Sequence, residues 1–376
     1  MRLKGLEKRG KRIALAFLRP LGRGRPLAQK DLVDRRLKQI LVVRQDERMG
    51  NLILITPFLE ALRKILPRAH ISALVSSRYA DVLRGNPDVD EIILFDKRKL
   101  LRNPLRFMIF LQKLRRHSFD LAIDCGPVGN LSLNNALLTY LSGAPVRLGY
   151  LREESPLFVN LLIPPNKEAQ EEVDYHLDLL RFSFGDVHKG CLKFCLTPQE
   201  RRMAAQRQRE WGLQEKDFVV GMHAGGRGQK RWPMKRFAQL SQRLIQDYSA
   251  KVILFWGPGE RQEIRQFESR PFAGLTIAPP LDVRELAGHL ERCAVFICGD
   301  TGPMHLALAV GTPTVAIFRV PNFQRYGQQG PYNKIVYRPG GNVSVGDVLA
   351  AFGELCRTLT GETQHREAVD QSGSSA

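Results

Sequence analysis

Two spacings of apolar residues alternate along the chain. Short unbroken runs at 40–43, 71–75, 91–95 and 119–124 lack a polar face of period two. Such runs predict strands of a parallel sheet, buried on both sides. Between the first two, Leu52, Ile55, Leu59, Leu62 and Leu66 recur near the helical period until Pro67 ends the pattern. A short helix is predicted at 80–83, a basic amphipathic one at 104–116 and another at 134–142, followed by a strand at 146–150. Residues 151–170, rich in Glu, Pro and Asn, read as a loop, and 171–184 as a helix ending near Gly185.

Thr197-Pro-Gln-Glu200 carries a helix-start signal, with Thr as N-cap, Pro at the first position and Glu three residues on. The alternation then resumes. Strands are predicted at 218–222, 251–255, 275–277, 294–297 and 314–318, with helices at 236–248, 260–268, 283–291 and 305–310. Repeated strand–helix alternation implies right-handed crossovers, parallel sheets and the α/β class. The expected organisation is a basic extension over 1–38, a Rossmann-like domain over 39–185, a linker over 186–214, a second Rossmann-like domain over 215–345, a helix over 346–360 and a disordered tail over 361–376.

A length of 376 residues fits two domains. No run of eighteen apolar residues occurs, so no membrane span is expected, and no apolar signal segment follows the basic N-terminus. Six cysteines in apolar contexts read as buried thiols of a reducing compartment, without zinc spacing. The charge is more distinctive. Lys and Arg number 57 against 38 Asp and Glu, a net +19. Residues 1–38 hold 13 of the cations and 3 of the acids, interleaved with Leu3, Leu6, Ile13, Leu15, Phe17 and Leu18. That composition fits an in-plane helix on an anionic membrane, or else a basic tail. A polyanionic partner is expected, but no zinc finger or RNP-type aromatic motif points to nucleic acid.

Candidate chemistry gathers in the second half. Asp300-Thr-Gly-Pro-Met-His305 follows a buried strand and opens a helix, with Pro303 near its first position. A strand, a Gly-containing turn and a helix N-terminus make an anion site. His223-Ala-Gly-Gly-Arg-Gly-Gln-Lys-Arg-Trp-Pro233 follows another strand; its glycines permit close backbone approach, and Lys230 adds a point charge. Trp256-Gly-Pro-Gly-Glu260 follows a third strand. A carboxylate there suits a cis-diol, or equally its own helix N-terminus. No Gly-x-Gly-x-x-Gly follows the first strand, which disfavours a dinucleotide dehydrogenase.

These blocks, with Arg44–Pro57 before them, occur in the order found in glycosyltransferase family 9, and the sequence resembles that family over roughly residues 39–345. The resemblance implies a GT-B fold: two doubly wound Rossmann-like domains facing across a cleft. It implies a cytoplasmic enzyme, peripheral at the inner face of the membrane, transferring heptose from ADP-heptose to a lipopolysaccharide-core glycolipid. The first domain would bind acceptor and the second the nucleotide sugar. Gly225, Gly226, Lys230, Glu260, Asp300, Thr301, Gly302 and His305 match the donor-binding positions. No Asp-x-Asp pair lies in a suitable loop, so metal independence is expected, with no cofactor beyond the donor and a monomeric state. His223 stands where the family more often has a small or polar residue and is not assigned a catalytic role.

The first loop departs from the family. There a Gly-Asp pair supplies the general base; here it is Gly50-Asn51, in a loop one residue longer. Asn cannot accept a proton at neutral pH. Either Asp46 or Glu47 serves as base, or the chain is a weakly active or non-catalytic nucleotide-sugar-binding homologue.

Overall fold

The structure, a computed structural model, describes residues 26–373 apart from 34, 167, 169, 170 and 269–271. Most of the basic apolar extension, including its expected membrane helix, lies outside the described residues. The chain divides into two compact units, Met1–Cys191 and Leu192–Ala376.

The first unit is built on six strands: β1 Gln39–Arg44, β2 His70–Ser76, β3 Glu91–Phe95, β4 Leu121–Asp124, β5 Val146–Tyr150 and β6 Leu161–Ile163. All neighbours are parallel, in the order β3-β2-β1-β4-β5-β6. Leu41 lies beside Ser72 on one side and Ala122 on the other, so β1 is central and fully covered. Leu41, Val43, Leu74, Phe95 and Ala122 of the strands pack with Leu114, Phe119 and Leu138 from the crossovers. The edge strand β6 lies inside the segment expected to be loop, because a three-residue apolar run between polar flanks carries no period.

The single helix expected over 52–66 is two, Met49–Ile53 and Thr56–Ile65. Pro57 causes the break. It has no N–H for the carbonyl of Ile53, four residues back, and the Thr56 hydroxyl donates to that carbonyl instead at 2.8 Å.

The second unit repeats the plan with β7 Val219–His223, β8 Lys251–Phe255, β9 Leu275–Ile277, β10 Val295–Gly299, β11 Thr314–Phe318 and β12 Asn333–Tyr337. Their order is β12-β11-β10-β7-β8-β9, again all parallel. Both sheets are of the open, doubly wound kind, in which a switch point falls where crossovers change direction along the strand order. Within the segment expected as linker, the helix Pro198–Glu210 starts with the Thr197–Glu200 capping box. It belongs to this unit, where Glu200 pairs with Arg284 and Arg207 with Glu285 at 3.1 Å. The last helix, Val345–Gly373, runs past its expected end into the segment expected to be disordered. That segment is polar, but Glu362, Gln364, Arg366, Glu367, Ala368 and Gln371 favour helix without needing a core. Cys125, Cys293 and Cys298 are buried as expected, whereas Cys191 is exposed.

Candidate functional site

In the second unit the switch point lies between β7 and β10, and the expected donor residues stand at the carboxyl ends of β7, β8 and β10. β7 delivers His223 and the glycine loop, and β10 delivers Asp300; a side-chain carbon on Gly299 would meet the Gly225 and Lys230 carbonyl oxygens at 3.6 and 3.8 Å, ordinary contact distances. Gly225 admits no side chain: a Cβ there would fall 2.2 Å from the His223 ring and 3.0 Å from Glu260 Oε1. At Gly226 a Cβ would lie 2.9 Å from the Arg231 Cα. The loop is therefore closed on itself, with bare backbone toward Glu260.

Lys230 Nζ lies 2.5 Å from Asp300 Oδ2 and 5.7 Å from the centroid of the Tyr326 ring. The Lys230 side chain is 38% exposed and that of Asp300 only 8%, so the ammonium is the reachable half of the pair. Asn322 Nδ2 donates to the same Asp300 oxygen at 2.7 Å. Thr301 is extended, and its hydroxyl turns back to the Gly299 carbonyl at 3.3 Å. No side chain caps the helix Gly302–Ala309, whose first turn presents amides to the same spot. His305 is buried in that helix, and its Nδ1 has no hydrogen-bond partner. Burial pushes its pKa down to about 4, with Asp300 opposing and Lys230 reinforcing, so the ring is neutral at neutral pH.

Glu260 divides its carboxylate. Oε2 accepts the Gly257 N–H at 2.7 Å, satisfying its own turn, while Oε1 lies 3.8 Å from Arg231 Nη2. His223 is buried, its pKa likewise pushed down to about 4, and its Nδ1 accepts the Gly225 N–H at 3.2 Å. It holds the loop's shape. Trp232 anchors the other end: it is fully buried, donates to the Val343 carbonyl at 2.8 Å and stands edge-on to Phe237. Arg236 reaches the same carbonyl. The motifs missed Arg231, Asn322 and Tyr326. The last two follow β11, the strand beside β10, and sheet order would have found them.

In the first unit the corresponding switch point lies between β1 and β4. Arg44 ends β1, fully buried, with Nη2 at 3.7 Å from Asp46 Oδ2 and 3.8 Å from Glu172 Oε1. Its Nη1 donates to the Cys125 carbonyl. Asn51, in the short helix after the loop, donates Nδ2 to Asp46 Oδ2 at 2.7 Å. Asp46 and Asn51 are thus brought together. Glu47 is drawn elsewhere: its Oε1 accepts the Ser76 hydroxyl at 3.1 Å and the Gln45 amide at 3.4 Å. Behind the loop Asp124, fully buried, pairs with Arg152 at 3.1 Å and accepts the Gly126 N–H. Spacing alone could have flagged Glu172 and His176, four apart on one helix and 3.7 Å apart in space.

Two parallel sheets of the doubly wound kind, the second with a glycine loop, a lysine and an uncapped helix start at its switch point, are the architecture of the GT-B class of glycosyltransferases. The family model described as Glycosyltransferase family 9 (heptosyltransferase) matches residues 108–340, and the chain belongs to that family. It is 24% identical over 348 residues to lipooligosaccharide heptosyltransferase 2 of Haemophilus influenzae, covering 86% of this chain and 92% of that one. Among solved structures, the glycosyl transferase family 9 protein of Veillonella parvula superposes with a TM-score of 0.76 at 23% identity, over 85% of this chain and 97% of that one. An E. coli heptosyltransferase solved with ADP superposes with a TM-score of 0.64 at 21% identity, over 85% and 98%.

Proposed function

We propose that the protein transfers heptose from ADP-heptose to a lipopolysaccharide-core or related glycolipid acceptor, in a single inverting displacement without a metal. The cluster of Lys230, Asp300, Thr301, Gly302 and His305 at the second switch point carries the reading. It offers one accessible ammonium beside bare backbone amides, the donor set a diphosphate needs. The heptosyltransferase relative and the ADP-bound neighbour support the choice of sugar and nucleotide. Lys230 and the amides around Gly225, Gly226 and Gly302 take up charge on the departing diphosphate. Glu260 Oε1 accepts from the ribose hydroxyls once Arg231 shifts aside.

In the first unit Asp46 is the base. An acceptor hydroxyl attacks the anomeric carbon as the bond to the phosphate oxygen breaks, and its proton passes to Asp46. The Asn51 amide donates to Asp46 and so holds the carboxylate, which replaces the role of an Asp at position 51. A glycolipid acceptor would put the work at a membrane, and we assign it to the cytoplasmic face. Among the described residues no helix is long and apolar enough to cross it.

Thermal stabilisation by a panel of nucleotide sugars tests the donor. ADP and ADP-heptose are expected to raise the melting temperature. A shift with a UDP-sugar and none with ADP-heptose would replace the proposed donor.

A further inference from the structure

The helix Pro104–Arg116 crosses from β3 to β4, and its two faces are both apolar. The inner face carries Leu111 and Leu114, 8% and 2% exposed, with Phe107 and Phe110 packed on the same core. The outer face carries Leu105, Met108 and Ile109, 69%, 61% and 45% exposed. At spacings of three and four these form one ridge. Among the described residues no other helix leaves three large apolar side chains in water. Helical geometry sets Arg116 in line with that ridge, Arg106 and Lys113 along one flank and Arg115 along the other. From 97 to 119 the sequence has eight Lys or Arg and no Asp or Glu.

An apolar ridge on a segment that carries cations and no acids has a specific complement. Nucleic acid would use the cations and leave the apolar ridge in water, whereas a second copy would oppose like charges across the contact. An anionic bilayer surface satisfies both, with the apolar side chains among the acyl-chain ends and the cations at the phosphates. Topology gives the contact a use. The crossover leaves β3 at its carboxyl end, so the helix starts at the sheet edge that also holds Asp46.

We propose that the ridge of Leu105, Met108 and Ile109 with its flanking cations is a docking surface of the first unit for an anionic membrane. It is separate from the basic extension at 1–38, and it rests on the glycolipid-acceptor reading only for the reason a membrane is approached. The test needs no sugar nucleotide, so its failure leaves the transfer reading standing. The full-length protein is sedimented with phosphatidylcholine vesicles, with and without phosphatidylglycerol, and an Ile109→Trp variant is mixed with the same vesicles carrying brominated lipid. Strong quenching of the introduced indole on anionic vesicles alone is expected. The Arg106→Gln/Lys113→Gln/Arg116→Gln variant should bind about a hundredfold more weakly, at about fivefold per cation. Leu105→Ser/Met108→Ser/Ile109→Ser should lose about tenfold or more, with its melting temperature kept. Bound Ile109→Trp protein whose introduced indole stays unquenched overturns the proposal. So does an apolar triple variant that breaks a dimer while vesicle binding is unchanged.

Discussion

After β1 the chain turns through Asp46, Glu47 and Asn51; after β7, the equivalent strand, it turns through three glycines, Lys230 and Trp232. Both turns follow a central strand of a parallel sheet, yet they are made of different material. The second is bare backbone with a reachable ammonium, its surrounding imidazoles neutral by burial. The first is a mesh of side chains, where Arg44 reaches Asp46 and Glu172 while Asn51 holds Asp46. A repeated scaffold fixes where chemistry happens. The loop residues decide whether the place grips an anion or presents a carboxylate.

Asp46 is where the two turns differ most in consequence. Asp46→Asn should lower turnover about 10²–10⁴-fold in a heptosyl-transfer assay, the usual worth of a general base. Asn51→Asp would set a second carboxylate within 2.7 Å of the first. Like charges so close raise one pKa, so the acid limb of the pH–rate profile should move up with no gain at neutral pH. A large gain would mean that position 51, not Asp46, is the natural place for the base.

On the other side, Lys230→Ala should cost about 10²–10³-fold in kcat/KM, the effect of removing one preorganised donor to developing charge. It should also weaken ADP stabilisation, whereas Asp46→Asn should leave that stabilisation intact. Equal effects of both variants on ADP would erase the division of labour.

Acid bears on the second unit. His223, His289 and His305, all in the second unit, have folded pKa values of about 4, below the ordinary 6.5, because burial disfavours the charged ring. The unfolded chain binds more protons in that window. Their stabilisation is therefore complete above 6.5 and lost as pH falls toward 4. Trp211, Trp232 and Trp256 are the chain's only tryptophans and lie in this unit, so acid unfolding should appear in intrinsic fluorescence. Stability unchanged between pH 6.5 and 4 would refute the burial argument.

The smallest effect concerns helix ends. In the first unit the helix Glu172–Phe184 stops on Gly185 at φ 92°; in the second, Met234–Tyr248 stops on Ser249 in the left-handed region at φ 53°. Ser249→Gly should raise stability by about 1 kcal/mol, read as a small rise in the denaturation midpoint.

Much of this was legible because parallel strands are written as unbroken apolar runs, and the donor motifs sit where those runs end. β12 and β6 were not, since Asn333–Tyr337 mixes charge with apolar residues and Leu161–Ile163 is only three long. The donor motifs named residues that the fold brings together at one sheet edge. They missed Asn322, which acts through a neighbouring strand's loop. The Asp46–Asn51 contact was beyond spacing rules, because it depends on how a loop enters a short helix that Pro57 cuts off from the next.

Trp232 gives the glycine loop after β7 a fixed mooring. One end leaves β7 at His223, and the other is tied by the indole to the carbonyl of Val343, just before the terminal helix. With both ends held, residues 224–231 are the stretch expected to adjust around a bound molecule. Cutting into the start of the last helix should therefore slacken ADP affinity from behind, although none of its residues is placed on the nucleotide.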